Sequence, residues 1–167
     1  MTRKGGATGS IPAIVTAIGA GAKIQTLTLV RGECQLVDPR EGDVVENMKI
    51  TMKGSGRKHD SLLRLDCSFG IIVEPVAKGR EDKPVARIEC EFGLQYEIDD
   101  AVLFAKLSER DVELFAAYNC SVNAWPHARE FVQSMAQRMV LPPIVLPLFR
   151  PSDLLPPPEK WQRVPAA

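Results

Sequence analysis

A chain of 167 residues is long enough for one domain with a real core and short for two. Its 21 Lys and Arg balance its 21 Asp and Glu, so no net field draws it to nucleic acid, anionic lipid or a basic substrate. No apolar run reaches the roughly 18 residues that span a bilayer, so neither a membrane nor a nucleic-acid partner is expected.

Residues 1–22 read as a flexible N-terminal segment. Arg3 and Lys4 precede a Gly- and Ala-rich stretch from Ile11 to Ala22, in which Ile11, Ile14, Val15 and Ile18 are too diluted for an export signal. From residue 23 to 37 the chain is rich in Thr, Leu and Val but changes phase. Leu27 and Leu29 share one face while Val30, Cys34 and Leu36 share the other, which one extra residue near Arg31-Gly32, a β-bulge, would reconcile. A shorter strand over residues 44–53 ends at Gly54-Ser55-Gly56.

Two long alternating runs follow. Leu63, Leu65, Cys67, Phe69, Ile71 and Val73 form one apolar face, and Ala86, Ile88, Cys90, Phe92, Leu94, Tyr96 and Ile98 the other. They flank a charged, turn-rich segment and should pair as an antiparallel hairpin. Then the period lengthens. Ser108 with Asp111 marks a helix start, Val112, Leu114, Phe115 and Tyr118 its apolar side, and Asn119 its end. A second helix begins at Trp125 with Pro126 in its first turn, and Ala128, Phe131, Val132, Met135, Ala136 and Met139 keep i, i+3, i+4 spacing. Leu141-Pro142-Pro143 stops it, Ile144 to Phe149 should lie extended against the domain, and the Pro-rich tail, 151–167, keeps Trp161 as its one large anchor. The fold class is α+β: a four-stranded antiparallel sheet with two helices packed on one side, spanning residues 23–150.

Cys34, Cys67, Cys90 and Cys120 are far apart, with no C-x-x-C pair and no clustered His, so no metal site is expected. Cys67 and Cys90 fall in apolar phase, where free thiols act as small hydrophobes, and a reduced, cytoplasmic setting fits. His59 lies in the basic turn Arg57-Lys58-His59 and His127 in a helix's first turn, neither beside a recognisable nucleophile. No phosphate-binding loop is present: the glycines of Ile18-Gly19-Ala20-Gly21-Ala22 lack its spacing. No enzymatic activity, catalytic residue or cofactor is expected, ATP included.

The run Ala124-Trp125-Pro126-His127-Ala128-Arg129-Glu130-Phe131 resembles the [FW]-P-x-x-R-E segment of the SecB protein-export chaperone family. Ala117-Tyr118-Asn119 before it, and Ser134-Met135, Arg138 and the apolar-Pro stretch Leu141 to Leu146 after it, match in order and spacing. The likeness covers residues 84 to 150 well, and 23 to 75 only as a strand pattern. It implies ATP-independent holding of unfolded polypeptide clients, for export through a translocation ATPase, by a homotetramer: two subunits pair through sheet edges and two dimers stack through helices. Two features depart from the family. The export chaperone is strongly acidic and this chain is neutral, and Pro156, Pro157 and Pro158 preclude the C-terminal helix that covers part of the client groove. An alternative is a SecB-like scaffold serving one dedicated partner, such as an antitoxin.

Trp125, Phe131, Val132, Met135, Met139 and Leu141 are the candidate client-groove or oligomer-contact residues, and the same stripe would suit a core. Pro126, Arg129 and Glu130 are the motif's centre; Arg129 and Glu130 could equally form a structural ion pair at a helix start.

Overall fold

A computed structural model describes residues 11–37, 45–75 and 84–146; the tail with Trp161 lies outside them. The alternating runs form a four-stranded antiparallel sheet in the order β1-β4-β3-β2, with β1 Ala22–Leu36, β2 Val45–His59, β3 Leu62–Pro75 and β4 Ala86–Ile98. Helices pack on one face, as expected. β3 and β4 pair with Phe69 opposite Cys90 and Leu65 opposite Leu94, and their apolar faces are buried throughout. Each Leu, Ile or Phe so buried contributes about 1.5–3 kcal/mol.

Phase is kept in β1 by two irregularities, one between Ile24 and Thr26 and one between Leu29 and Arg31, the second beside the expected position. With Val30 bulged out, Leu27, Leu29, Gly32, Cys34 and Leu36 oppose Leu94, Phe92, Cys90, Ile88 and Ala86, and so share the core-side face.

β2 does not stop at Gly54-Ser55-Gly56; it runs on to His59 and turns at Asp60, whose φ is 54°. The glycines are seats for a helix. A Cβ on Gly54 would lie 3.2 Å from the Ala116 carbonyl oxygen and from Cys120 Cβ and Sγ. One on Gly56 would lie 2.8 Å from Leu65 Cδ2 and 3.0 Å from Ala116 Cβ and Val112 Cγ1. Side chains there would hold the helix off the sheet.

The helices differ from expectation in three ways. Residues 13–21, expected within a flexible segment, form α1, Ala13–Gly21, which buries Val15 and Ile18 in the core and packs on the long helix. A short α2, Ala101–Lys106, is capped by Asp100, whose carboxylate accepts from the amides of Val102 and Leu103 at 2.9 Å. The two expected helices are one, α3, Glu109–Arg138. Its start is the Ser108–Asp111 capping box. At Asn119 the side chain donates to the Phe115 carbonyl one turn back, at 3.2 Å, and the helix continues. Pro126 sits inside, unable to donate to the Val122 carbonyl, yet Ala124, Trp125 and Ala128 around it are buried, and this packing overrides the local signal. Val140, at φ 57°, ends the helix ahead of Leu141, and Ile144 and Leu146 are buried in the extended stretch beyond.

Cys67 is not a free thiol. It forms a disulfide with Cys120 of α3, 53 residues away, with Cα atoms 5.5 Å apart. Cys34 and Cys90 are free. Burial, with Cys34 nearby, pushes the Cys90 thiol up to about 12 and so leaves it protonated at neutral pH.

Candidate functional site: an uncovered apolar shelf

The long helix does not cover the sheet evenly. Its N-terminal half lies on β2 through the glycine seats, and it crosses β3 and β4. It reaches β1 at Gly32, where a Cβ would stand 2.6 Å from Phe131 Cζ. The aromatic ring fills the space that the missing side chain leaves.

This path leaves part of the core-side face of β1 uncovered, while Leu27 and Cys34 on it pack against the core. Ile24 opposes buried Tyr96, Leu29 opposes buried Phe92 and Leu36 opposes buried Ala86, so all three point toward the helix layer. Yet they are 46%, 46% and 41% exposed; bulged Val30 instead stands on the outer face, its Cγ2 3.2 Å from where a Cβ on Gly93 would lie. An apolar shelf thus runs along β1, with Phe131 of α3 at its inner wall. β1 pairs only with β4, so among the described residues its outer backbone edge carries unpaired amides and carbonyls. The opposite edge, β2, carries Lys49, Lys53, Arg57 and Lys58, which discourage strand addition.

The expected site residues fall into two groups. Trp125 and Val132 are buried, Trp125 against Phe69 with ring centroids 5.8 Å apart; they hold α3 to the sheet. Phe131, Met135, Met139 and Leu141 lie at the core's margin with part of their surface open. Leu141 also lines a hollow of about 300 Å³ with Ala136, Gln137, Pro143 and Ile144. Pro126 and Glu130 are exposed, and Arg129 is half-buried. Arg129 and Glu130 form no ion pair with each other among the described residues, and Arg129 Nε is buried without a partner there. Sequence reasoning missed Ile24, Leu29 and Leu36 as site residues. Their apolar positions change phase along the strand, and only the two irregularities of β1 show that all three share one face.

The other sheet face is a charge mosaic. Arg57 bridges Asp66 at 2.9 Å, Lys49 pairs with Glu74 and Arg31 with Glu33. Around Gly70 and Ser68 it dips into a shallow hollow of about 260 Å³ bordered by Arg31, Lys53, Glu89 and Glu91. Both signs are interspersed, so this face makes no single-sign platform.

No family model matches the chain, and no curated protein matches it by sequence. Among solved structures it is similar to the Mycobacterium tuberculosis SecB-like chaperone Rv1957, solved in complex with a ChAD peptide from the HigA1 antitoxin Rv1956. The TM-score is 0.67 at 17% identity, over 81% of this chain and 96% of the other. The fold is SecB-like.

Proposed function

We propose that this chain is an ATP-independent holding chaperone, a divergent SecB-like subunit that captures extended apolar segments of unfolded polypeptides. The observation that carries the reading is the shelf, a row of apolar side chains left exposed on the core-side face of β1. Apolar contacts of this kind demand no fixed motif, which suits varied unfolded clients, and they stay open when β1 edges pair. Magnitude then argues for an assembly. Three side chains about half exposed contribute roughly 2–5 kcal/mol on burial, before the cost of ordering the client, so one shelf alone would bind at about millimolar or weaker. Neighbouring shelves in a homo-oligomer raise this by effective concentration. In this reading copies pair through β1 edges and dimers stack through α3, with Met135 and Met139 at the contact, in a cytoplasmic setting.

A second reading is service to one dedicated partner. It is favoured over export by two observations: the similar chaperone holds an antitoxin peptide, and the mixed-charge outer face offers no acidic platform for a translocation ATPase. One experiment separates them. A denatured model protein is diluted with and without this chain, in the absence of nucleotide, and light scattering is followed. Suppression at stoichiometric amounts, little changed by raised salt, is expected. Failure with every unfolded model protein removes general holding and leaves the dedicated partner. Suppression that requires ATP removes both.

A further inference from the structure

All four cysteines are gathered on the core side of the sheet. Cys34 of β1 and Cys90 of β4 are register diagonals, since Gly32 opposes Cys90 and Cys34 opposes Ile88. Cys90 is in turn diagonal to Cys67, because Phe69 opposes Cys90 and Cys67 opposes Phe92. Diagonals lie about 7–8 Å apart and are poorly placed to bridge. Cys67 and Cys120, with Cα atoms 5.5 Å apart, are well placed. Both are essentially unexposed, and Cys120 comes close enough only because Gly54 leaves room above β2.

We propose that Cys67 and Cys120 form a thiol–disulfide switch that sets how firmly α3 is held on the sheet. Oxidised, the bond ties the helix, near its middle, to a central strand. Reduced, α3 is held by packing alone. Because both sulfurs are buried, exchange passes through an opening in which the helix lifts. Oxidation by a low-molecular-weight disulfide such as glutathione disulfide then balances. One cysteine thiolate attacks, a mixed disulfide forms and one glutathione leaves as thiolate. The second cysteine then displaces the other glutathione; two protein thiols become one disulfide, and the two glutathione thiolates take up the two protons. The consequence for clients rests on the proposed function: a loosened α3 widens the shelf, so the reduced protein should capture more client.

Alkylation in denaturant without reductant, followed by intact mass, should count two free thiols, rising to four after reduction in denaturant. Peptide mapping should join residues 67 and 120. Reduction should lower the melting temperature by roughly 10 °C, as expected for a crosslink closing a loop of this length. It should also speed amide exchange in α3 at least about tenfold. Cys120→Ser should melt like the reduced wild type and ignore reductant, whereas Cys34→Ser should keep the full shift. If Cys120→Ser does not fold, the wild type with and without reductant still decides. Four free thiols after incubation with glutathione disulfide, a Cys34–Cys90 linkage, or a melt indifferent to reductant overturns the switch. A confirmed bond and shift with no client capture in either state sinks the chaperone reading and leaves the switch standing.

Discussion

Gly56→Ala tests whether the long helix is seated on β2. The added methyl would meet Leu65 Cδ2 at 2.8 Å and Ala116 Cβ and Val112 Cγ1 at 3.0 Å, all side-chain carbons of fully buried residues. Carbon contacts are optimal at about 3.5–4.0 Å, so strand and helix must separate by about half an ångström or more. Overpacking of this kind costs about 1–3 kcal/mol, and removing the flexibility of a strand glycine returns about 0.5–1 kcal/mol. The net expectation is a loss of about 1–2 kcal/mol, or roughly 3–8 °C in melting temperature. Gly70→Ala is the control. Its methyl would meet only Thr51 Oγ1, at 2.7 Å, on the exposed face, and that hydroxyl can turn away from the Gly70 carbonyl it now donates to at 3.3 Å. It should stay within about 0.5 kcal/mol of wild type. Urea unfolding of the three proteins measures the difference. If Gly56→Ala matches Gly70→Ala, the helix does not rest on these glycines and the account of β2 is wrong.

Asn123→Ala strands the hydroxyl of buried Tyr96, which now accepts from Asn123 Nδ2 at 2.7 Å; a loss of about 1–3 kcal/mol is expected in urea unfolding, partly recovered by adding Tyr96→Phe. Ser108→Ala removes the capping box and should cost about 1 kcal/mol at neutral pH. Hydrogen bonds from the Ser108 hydroxyl and backbone hold the Asp111 carboxyl below its usual range, so that contribution is complete above the ordinary carboxylate pKa. The carboxylate's share fades as pH falls through the lowered folded value, while the Asp111 amide still donates to the Ser108 hydroxyl, so thermal melts of variant and wild type should draw closer in acid without meeting. Met135→Asp should split the proposed oligomer, since an unpaired carboxylate in an apolar contact is strongly unfavourable. Light-scattering mass would show smaller particles, and a wild type already monomeric at micromolar concentration would defeat the assembly argument.

The sheet was legible because β3 and β4 are buried on one face only, and period-two alternation reports that condition directly. The capping box and the stop at Leu141 were legible because caps are local chemistry. What was misread depends on neighbours that sequence order does not reveal. Gly54 and Gly56 carry the composition of a turn, and only the helix above them explains why they stay in a strand. Asn119 and Pro126 suggest a break, but the buried Cys120, Ala124 and Trp125 between and beside them bind that stretch to the sheet. α1 was hidden by Gly19 and Gly21, although Val15 and Ile18 have helical spacing. As for the site, the stripe on α3 was visible, but its division into core (Trp125, Val132) and margin (Phe131, Met135, Met139, Leu141) depends on where α3 crosses the sheet.

The unlike edges of the sheet limit how it can grow. Apolar β1 invites another strand, whereas β2 repels one with Lys49, Lys53, Arg57 and Lys58. Two copies joined through β1 would therefore turn only cationic edges outward, and there the addition ends. The joining is self-terminating: each event consumes both inviting edges and creates no new one, so a protein with a long bare strand can be sticky without being able to polymerise along its sheet.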